Sequence, residues 1–221
     1  MLERFWPPFG VTVRTPRLDI RLPRDDDLPE VLAVVDGGIH DPATMPFLFP
    51  WTDTPSPQRE RTSLQFWWRS RAEWTPNSWV FNGAVFVEGR FVGMQDMRAT
   101  NFSALRTVST GSWLGREHQG RGLGKEMRAA ILHLAFAGLG AVEARSGAWT
   151  DNTVSRRVSR SLGYREQEGA LELRRGQPDR LVEFVLDRDS WAARRRDDIE
   201  IIGLEPALEL FGVSTPGPGH S

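Results

Sequence analysis

Nine residues, Glu117-His118-Gln119-Gly120-Arg121-Gly122-Leu123-Gly124-Lys125, restrict the fold more than any other part of the chain. Three glycines at alternate positions follow the apolar Ser112-Trp113-Leu114 and precede an amphipathic run from Leu123 to Ala137. Strand, glycine loop and helix in this order make a cradle for a phosphate group. Glycine accepts positive φ and lets the backbone approach a ligand closely. A helix start presents unpaired N–H groups and the positive end of its dipole. Lys125, in the first turn, adds a mobile cation. It is the only lysine, the other 27 of the 28 basic residues being arginine, a bias of the kind that base composition produces.

Several identities compete for this loop. The phosphate loop of nucleotide hydrolases needs Gly, four residues, then Gly-Lys-Ser/Thr. Here Glu126 follows Gly124-Lys125 and offers magnesium no hydroxyl. The dinucleotide fingerprint needs Gly-x-Gly-x-x-Gly, with an acidic residue closing a later strand. The spacing here is Gly-x-Gly-x-Gly, and no such acid follows. A glycine-rich turn with no ligand is the plain alternative. The remaining candidate is Gln/Arg-x-x-Gly-x-Gly/Ala, which Gln119-Gly120-Arg121-Gly122-Leu123-Gly124 matches in full.

A second segment runs from Asn152 through Thr153-Val154-Ser155-Arg156-Arg157-Val158-Ser159-Arg160-Ser161 to Leu162-Gly163-Tyr164. Val154, Val158 and Leu162 recur every four residues and predict one helix face, with Arg156, Arg157 and Arg160 toward solvent. Gly163 reads as the C-terminal cap, and Tyr164 as the start of a strand. Asn, a small residue at +3 and Leu-Gly-Phe/Tyr at +10 to +12, together with the glycine loop, resemble the two signatures of the GNAT acyltransferases. The resemblance spans residues 14–187. Thr15-Pro16-Arg17-Leu18-Asp19-Ile20-Arg21-Leu22, and Trp113-Leu114 ahead of the loop, resemble its RimJ/RimL-type branch.

That resemblance implies an α/β (α+β) fold: a mixed, mostly antiparallel central sheet splayed at its middle, with helices on both faces. It also implies acyl-CoA as cosubstrate and no metal. The pyrophosphate would lie on Gln119, Gly120, Arg121, Gly122, Leu123, Gly124 and Lys125. Trp113, Leu114 and Gly115 would hold the pantetheine arm and carbonyl through their backbone, and Asn152 would sit near the arm. The implied activity is direct N-acyl transfer to a primary amine of a small molecule or protein. The acyl group is acetyl, with succinyl or a larger group left open. A non-catalytic acyl-CoA sensor or interaction module on the same fold is the alternative.

Many members protonate the leaving sulfur with a tyrosine seven residues after the Asn. Here that position is Ser159, and the only tyrosine, Tyr164, takes the structural aromatic place. Asn152, Ser155, Ser159 or water must serve instead, unless both serines are simply small residues for close packing. Asp96 is the candidate base, with Glu143 and Asp151 as alternatives. Asp151 reads equally as a solvated turn residue, and His118 as an exposed neighbour of the loop. His40, Phe47 and Trp51, with Asp41 and the rest of the aromatic loop Met45–Trp51, are candidates for an acceptor pocket. A satellite hydrophobic cluster is the competing reading for each of them.

Bulk properties exclude other classes. A chain of 221 residues can bury a core unaided. A net charge of −1 gives no general attraction to nucleic acid or to an anionic membrane. Without cysteine there are no disulfides, thiol nucleophiles or thiolate metal sites. His40, His118, His133 and His220 lack metal-ligand spacing. The first residues, with Glu3 and Arg4, hold no apolar core of signal length, and the apolar run Ala129–Val142 is too short to span a bilayer, so the cytoplasm is the default.

Periodicity predicts the remaining elements. Leu18, Ile20 and Leu22 mark the first strand. Asp25-Asp26-Asp27 starts a helix through Leu28, Val31, Leu32 and Val35 that stops at Gly37-Gly38. Residues 39–58, with five prolines, read as an irregular loop, and Pro57–Glu73 as a helix. Trp79–Val87 and Arg90–Arg98 form a hairpin about Glu88-Gly89. Thr107–Leu114, Ala141–Trp149 and Leu181–Leu186 are strands, the last followed by a short helix, Ser190–Arg195. Residues 14–190 are expected to form the acyltransferase domain. Residues 191–221 extend it: Ile199–Phe211 is apolar enough to dock on the domain or on a second copy, as in a homodimer, and Pro216–Ser221 reads as disordered.

Overall fold

A computed structural model describes residues 1–214; Pro216–Ser221 lies outside the described residues. The elements, in chain order, are β1 (Thr12–Arg14), β2 (Asp19–Arg21), α1 (Leu28–Asp36), α2 (Gln58–Ala72), β3 (Ser78–Val87), β4 (Arg90–Thr100), α3 (Phe102–Leu105), β5 (Thr107–Leu114), α4 (Leu123–His133), β6 (Glu143–Trp149), α5 (Thr153–Ser161), β7 (Arg165–Gln167), β8 (Leu171–Arg174), β9 (Gln177–Asp187), α6 (Arg188–Ala192) and β10 (Glu200–Ile202). Nine strands run across one sheet in the order β10-β1-β2-β3-β4-β5-β6-β9-β7, and β8 pairs with β9. All pairings are antiparallel except β5 with β6.

Each face of the sheet is covered. On one face, Leu28 and Val31 of α1 and Trp67 of α2 pack on Ala84, Phe86, Phe91 and Met94. On the other, Met127 and Ile131 of α4, with Phe136, pack on Phe81, Met97 and Val108. Alternation along β3 and β4 feeds both clusters, which is what period-two side-chain direction requires of a sheet buried on two sides.

The helix expected over Leu123–Ala137 is α-helical to His133 and continues as a π turn, Leu134–Gly138. The helix expected over Ser190–Arg195 lies at Arg188–Ala192, because the Asp187 carboxylate accepts from the Ser190 N–H at 2.7 Å and starts it early. In α5 the expected face is displaced: Val154 is 65% exposed, and Ser159 with the half-buried Val158 and Leu162 faces inward. Three strands carry too little alternation to be read in advance. β1 and β10 are three residues each; β10 exists because it pairs with β1, which pairs on its other side with β2. β8 is exposed and is held to β9 by the turn Arg175-Gly176, both at positive φ.

The C-terminal extension is spent on the protein's own core. β10 closes the sheet edge against β1, and Ile199, Ala207 and Phe211 are buried. Phe211 sits in a slot formed by Trp74, Trp79 and Phe81, at centroid distances of 5.1, 4.9 and 6.2 Å. The indole N–H groups of Trp74 and Trp79 donate to the carbonyls of Leu210 and Phe211.

Candidate active site

β5 and β6 pair only at Thr107–Ser109 with Glu143–Arg145. Beyond Ser109 they part, β5 running on to Leu114 and β6 to Trp149. The result is a wedge in the middle of the sheet, with one edge of each strand free of ladder partners over its outer half. Unpaired strand edges take an extended ligand by backbone hydrogen bonds. The β5 edge ends at the glycine loop, so the wedge and the loop form one continuous site.

The loop is shaped to receive an anion. Gly120 and Gly122 have φ of +75° and +78°, the left-handed region in which glycine is unstrained. No acceptor among the described residues meets the backbone N–H groups from Gly120 to Lys125; the first bond of α4 runs from the Glu126 N–H to the Gly122 carbonyl. These donors, the helix dipole and the exposed Arg121 and Lys125 fit a pyrophosphate. Gln119 serves the scaffold: its amide donates to the carbonyls of Ile39 (2.8 Å) and Leu114 (2.9 Å). The Leu114 carbonyl is thereby occupied. Thr15 and Arg17 hold the loop from outside. Both bond to the buried Glu126 carboxylate (2.6 Å each, the latter from Nε), and Arg17 Nη1 donates to the Arg121 carbonyl at 3.0 Å. Burial pushes the Glu126 carboxyl up, but the bonds from Thr15 and Arg17 outweigh it and hold it below its ordinary range.

α5 approaches the wedge from β6. Asn152 is its N-cap, Oδ1 accepting from the Ser155 N–H at 3.1 Å. Ser155 is half-buried. Ser159 is fully buried and its hydroxyl has no partner, as is true of the Tyr164 hydroxyl.

A family model described as an acetyltransferase (GNAT) domain matches residues 17–165, well over half of the chain. The chain belongs to the GNAT acetyltransferase family. It is a transferase of the GNAT type, and the family takes its acyl group from acetyl-CoA. Solved structures agree in fold. RimJ of Mycobacterium smegmatis, in complex with a CoA disulfide, superposes with a TM-score of 0.64 at 19% identity, covering 87% of this chain and 97% of that one. RimL, a ribosomal L7/L12 alpha-N-protein acetyltransferase in complex with CoA, gives 0.63 at 14%, covering 80% and 97%. A spermidine N-acetyltransferase chimera from Vibrio cholerae gives 0.62 at 12%, covering 80% and 98%.

In this GNAT chain the face of the wedge opposite α4 is aromatic. Trp113 packs on Phe91 (5.7 Å) and Trp51 (6.1 Å), Trp51 on Phe47 (5.5 Å), and Phe47 on His40 (5.6 Å). His40, Phe47 and Trp51 are thus brought together against β5. Both His40 ring nitrogens are engaged, by the Asp41 carbonyl and the Thr52 hydroxyl. The β8–β9 hairpin clamps this loop. Arg174 donates to the Met45 carbonyl and lies over the Trp149 ring, and Arg175 holds the Asp53 carboxylate and the Pro42 carbonyl. Trp149 donates to the Phe47 carbonyl at 3.0 Å.

The three carboxylates named from sequence each meet an arginine: Asp96 with Arg98 (2.7 Å), Glu143 with Arg145 (2.7 Å) and Asp151 with Arg174 (3.0 Å). Asp96 differs in place. It is paired across the ladder with Gly111 of β5, and a Cβ on Gly111 would stand 2.6 Å from Asp96 Oδ1. Glycine there lets the carboxylate lean over β5 toward the wedge. Asp151 is tied to the hairpin clamp, and His118 meets only Glu117 at 3.5 Å. No metal-binding cluster occurs among the described residues, and no described helix is long and apolar enough to cross a membrane.

Proposed function

We propose that this chain moves an acyl group, acetyl first, from acyl-CoA directly to a primary amine. The observation that carries the reading is the wedge opening onto a loop of partnerless N–H groups at the start of α4. The N–H groups of Gly120–Lys125 hold the pyrophosphate with Gln119 propping the loop, and the wedge-facing edge of β5 holds the arm. His40, Phe47 and Trp51 bound the amine's side, and Asp96 takes the amine's surplus proton over Gly111. Acyl-CoA supplies an activated thioester. The chain's residues supply position and charge, which is most of what this chemistry needs. RimL is described as acting on a ribosomal protein and the chimera as acting on spermidine, so the shared fold leaves the acceptor open. The test is thiol release from acetyl-CoA and succinyl-CoA across amines, peptides and polyamines. CoA binding without turnover on any acceptor would replace this reading with a sensor.

Gly122→Val should weaken CoA binding at least tenfold by calorimetry on folded protein. A β-branched residue at φ +78° costs about 1–3 kcal/mol and fills the cradle. Gly124 is different: a Cβ there would be 3.8 Å from Leu114 Cδ1, so Gly124→Ala fits the fold. Unchanged affinity in Gly122→Val removes the phosphate-loop assignment.

Asn152→Ala should cost about 1 kcal/mol of stability through the lost cap. Asn152→Asp keeps the cap, removes the amide donor and adds a negative charge. If that donor meets the cosubstrate, Asp lowers turnover by about 1–3 kcal/mol with the melting temperature unchanged. Normal turnover in Asn152→Asp would leave Asn152 a cap alone.

A further inference from the structure

We infer that the buried arginine of α4, Arg128, and the β5 serine it holds, Ser112, form the group that receives the leaving sulfur where this chain has no tyrosine; this rests on the acyl-transfer reading. Arg128 is 3% exposed. It makes no ion pair with any carboxylate among the described residues, and its Nε has no partner. Burying a guanidinium without a counter-charge costs several kcal/mol, so an unpaired one marks a place prepared for negative charge. Its bonds say where. Nη2 donates to Ser112 Oγ at 2.9 Å, and Nη1 to Ser146 Oγ at 3.2 Å. Ser112 is on β5 and Ser146 on β6, both beyond the last paired residues, so the guanidinium bridges the two arms of the wedge from the α4 side.

The two serines are not equivalent. The Ser146 hydroxyl is spent on the Thr110 carbonyl at 3.2 Å. The Ser112 hydroxyl accepts from Arg128, and its own proton meets no acceptor among the described residues. A hydroxyl whose oxygen is held by a guanidinium is a stronger donor, because successive hydrogen bonds polarise one another. It is half-buried, on the α4 side of β5 and beyond the last residue that pairs with β6. The Ser159 hydroxyl, at the sequence position of the usual tyrosine, has no such support.

As the C–N bond forms from the amine's lone pair, the C–S pair departs on sulfur. The amine's surplus proton passes to Asp96 and then to water. The Ser112 O–H, backed by Arg128, holds the sulfur anion until it leaves or takes a proton from water. Ser112 touches the reacting atom; Arg128 acts through it. The other ionisable groups nearby are Tyr164, buried in the core beside Thr110 and Arg128, and the pairs Asp96–Arg98 and Glu143–Arg145 on the opposite face.

The test is the ionisation of the CoA thiol in the bound state, followed by thiolate ultraviolet absorbance against pH, with dethio-CoA affinity measured alongside. An ordinary thiol ionises near about pH 8.5. Bound to the wild type it should ionise at least about one pH unit lower, the effect of a nearby opposite charge. Ser112→Ala and Arg128→Met should each return it toward the ordinary value while dethio-CoA binds within about twofold of wild type. If Arg128→Met does not fold, Ser112→Ala carries the comparison. A wild-type thiol that ionises at its ordinary value overturns the proposal whatever the variants do. If neither CoA nor dethio-CoA binds, the acyl-CoA reading itself fails.

Discussion

Asp96→Asn should lower kcat by about 10²–10⁴-fold, the range that a positioned general base contributes. The substitution keeps shape and removes the acceptor proposed for the amine's proton. The pairing with Arg98 does not argue against the role. The Arg98 side chain is 49% exposed and that of Asp96 18%, and a pair so close to solvent is worth only about 0–1 kcal/mol. CoA affinity should not change, because Asp96 is on β4 opposite Gly111 and the loop N–H groups are untouched. Steady-state rates on an identified acceptor, with calorimetric CoA affinity beside them, decide the matter. A loss below about tenfold at unchanged affinity would mean that water or another group takes the proton.

Phe211→Ala is expected to be the most damaging change to the fold. The ring is fully buried and packs edge-on to both Trp74 and Trp79, which stack on each other at 5.8 Å. Removing a buried aromatic ring costs about 3–5 kcal/mol, a large share of the roughly 5–15 kcal/mol that holds a domain together. The carbonyls of Leu210 and Phe211, which serve the two indoles, would lose their positions as well. Chemical denaturation followed by tryptophan fluorescence reads both effects. A loss under about 1 kcal/mol would show that the extension merely lies on a core complete without it.

Much of this was legible in the chain before any coordinates. The glycine spacing from Gly120 to Gly124 is dictated by backbone geometry, which a sequence states directly. The alternation of β3 to β5 is long enough to be read. What escaped was set by partners distant in sequence. β1 and β10 are 186 residues apart, measured from Arg14 to Glu200, and β10 is a strand only because β1 is there. Arg128 reads as one more polar residue on an amphipathic helix until Ser112 and Ser146 are seen beneath it. The same holds for Arg174 and Arg175, whose grip on the aromatic loop depends on a hairpin made of exposed residues. Thr15 and Arg17 belong to a sequence pattern, but their hold on Glu126, more than a hundred residues away, exists only in the fold. The capping bond of Asn152 is local, Oδ1 accepting from the N–H three residues on, and is of the kind a sequence states directly.

The single lysine has a consequence for chemistry done on this protein. Lys125 is exposed in the first turn of α4, on the loop itself, and every other basic side chain is a guanidinium or an imidazole. Amine-reactive labels therefore have one side-chain address here, apart from the chain's amino terminus. A fluorophore placed there stands beside the site, and its protection by a ligand is a footprint of that site alone.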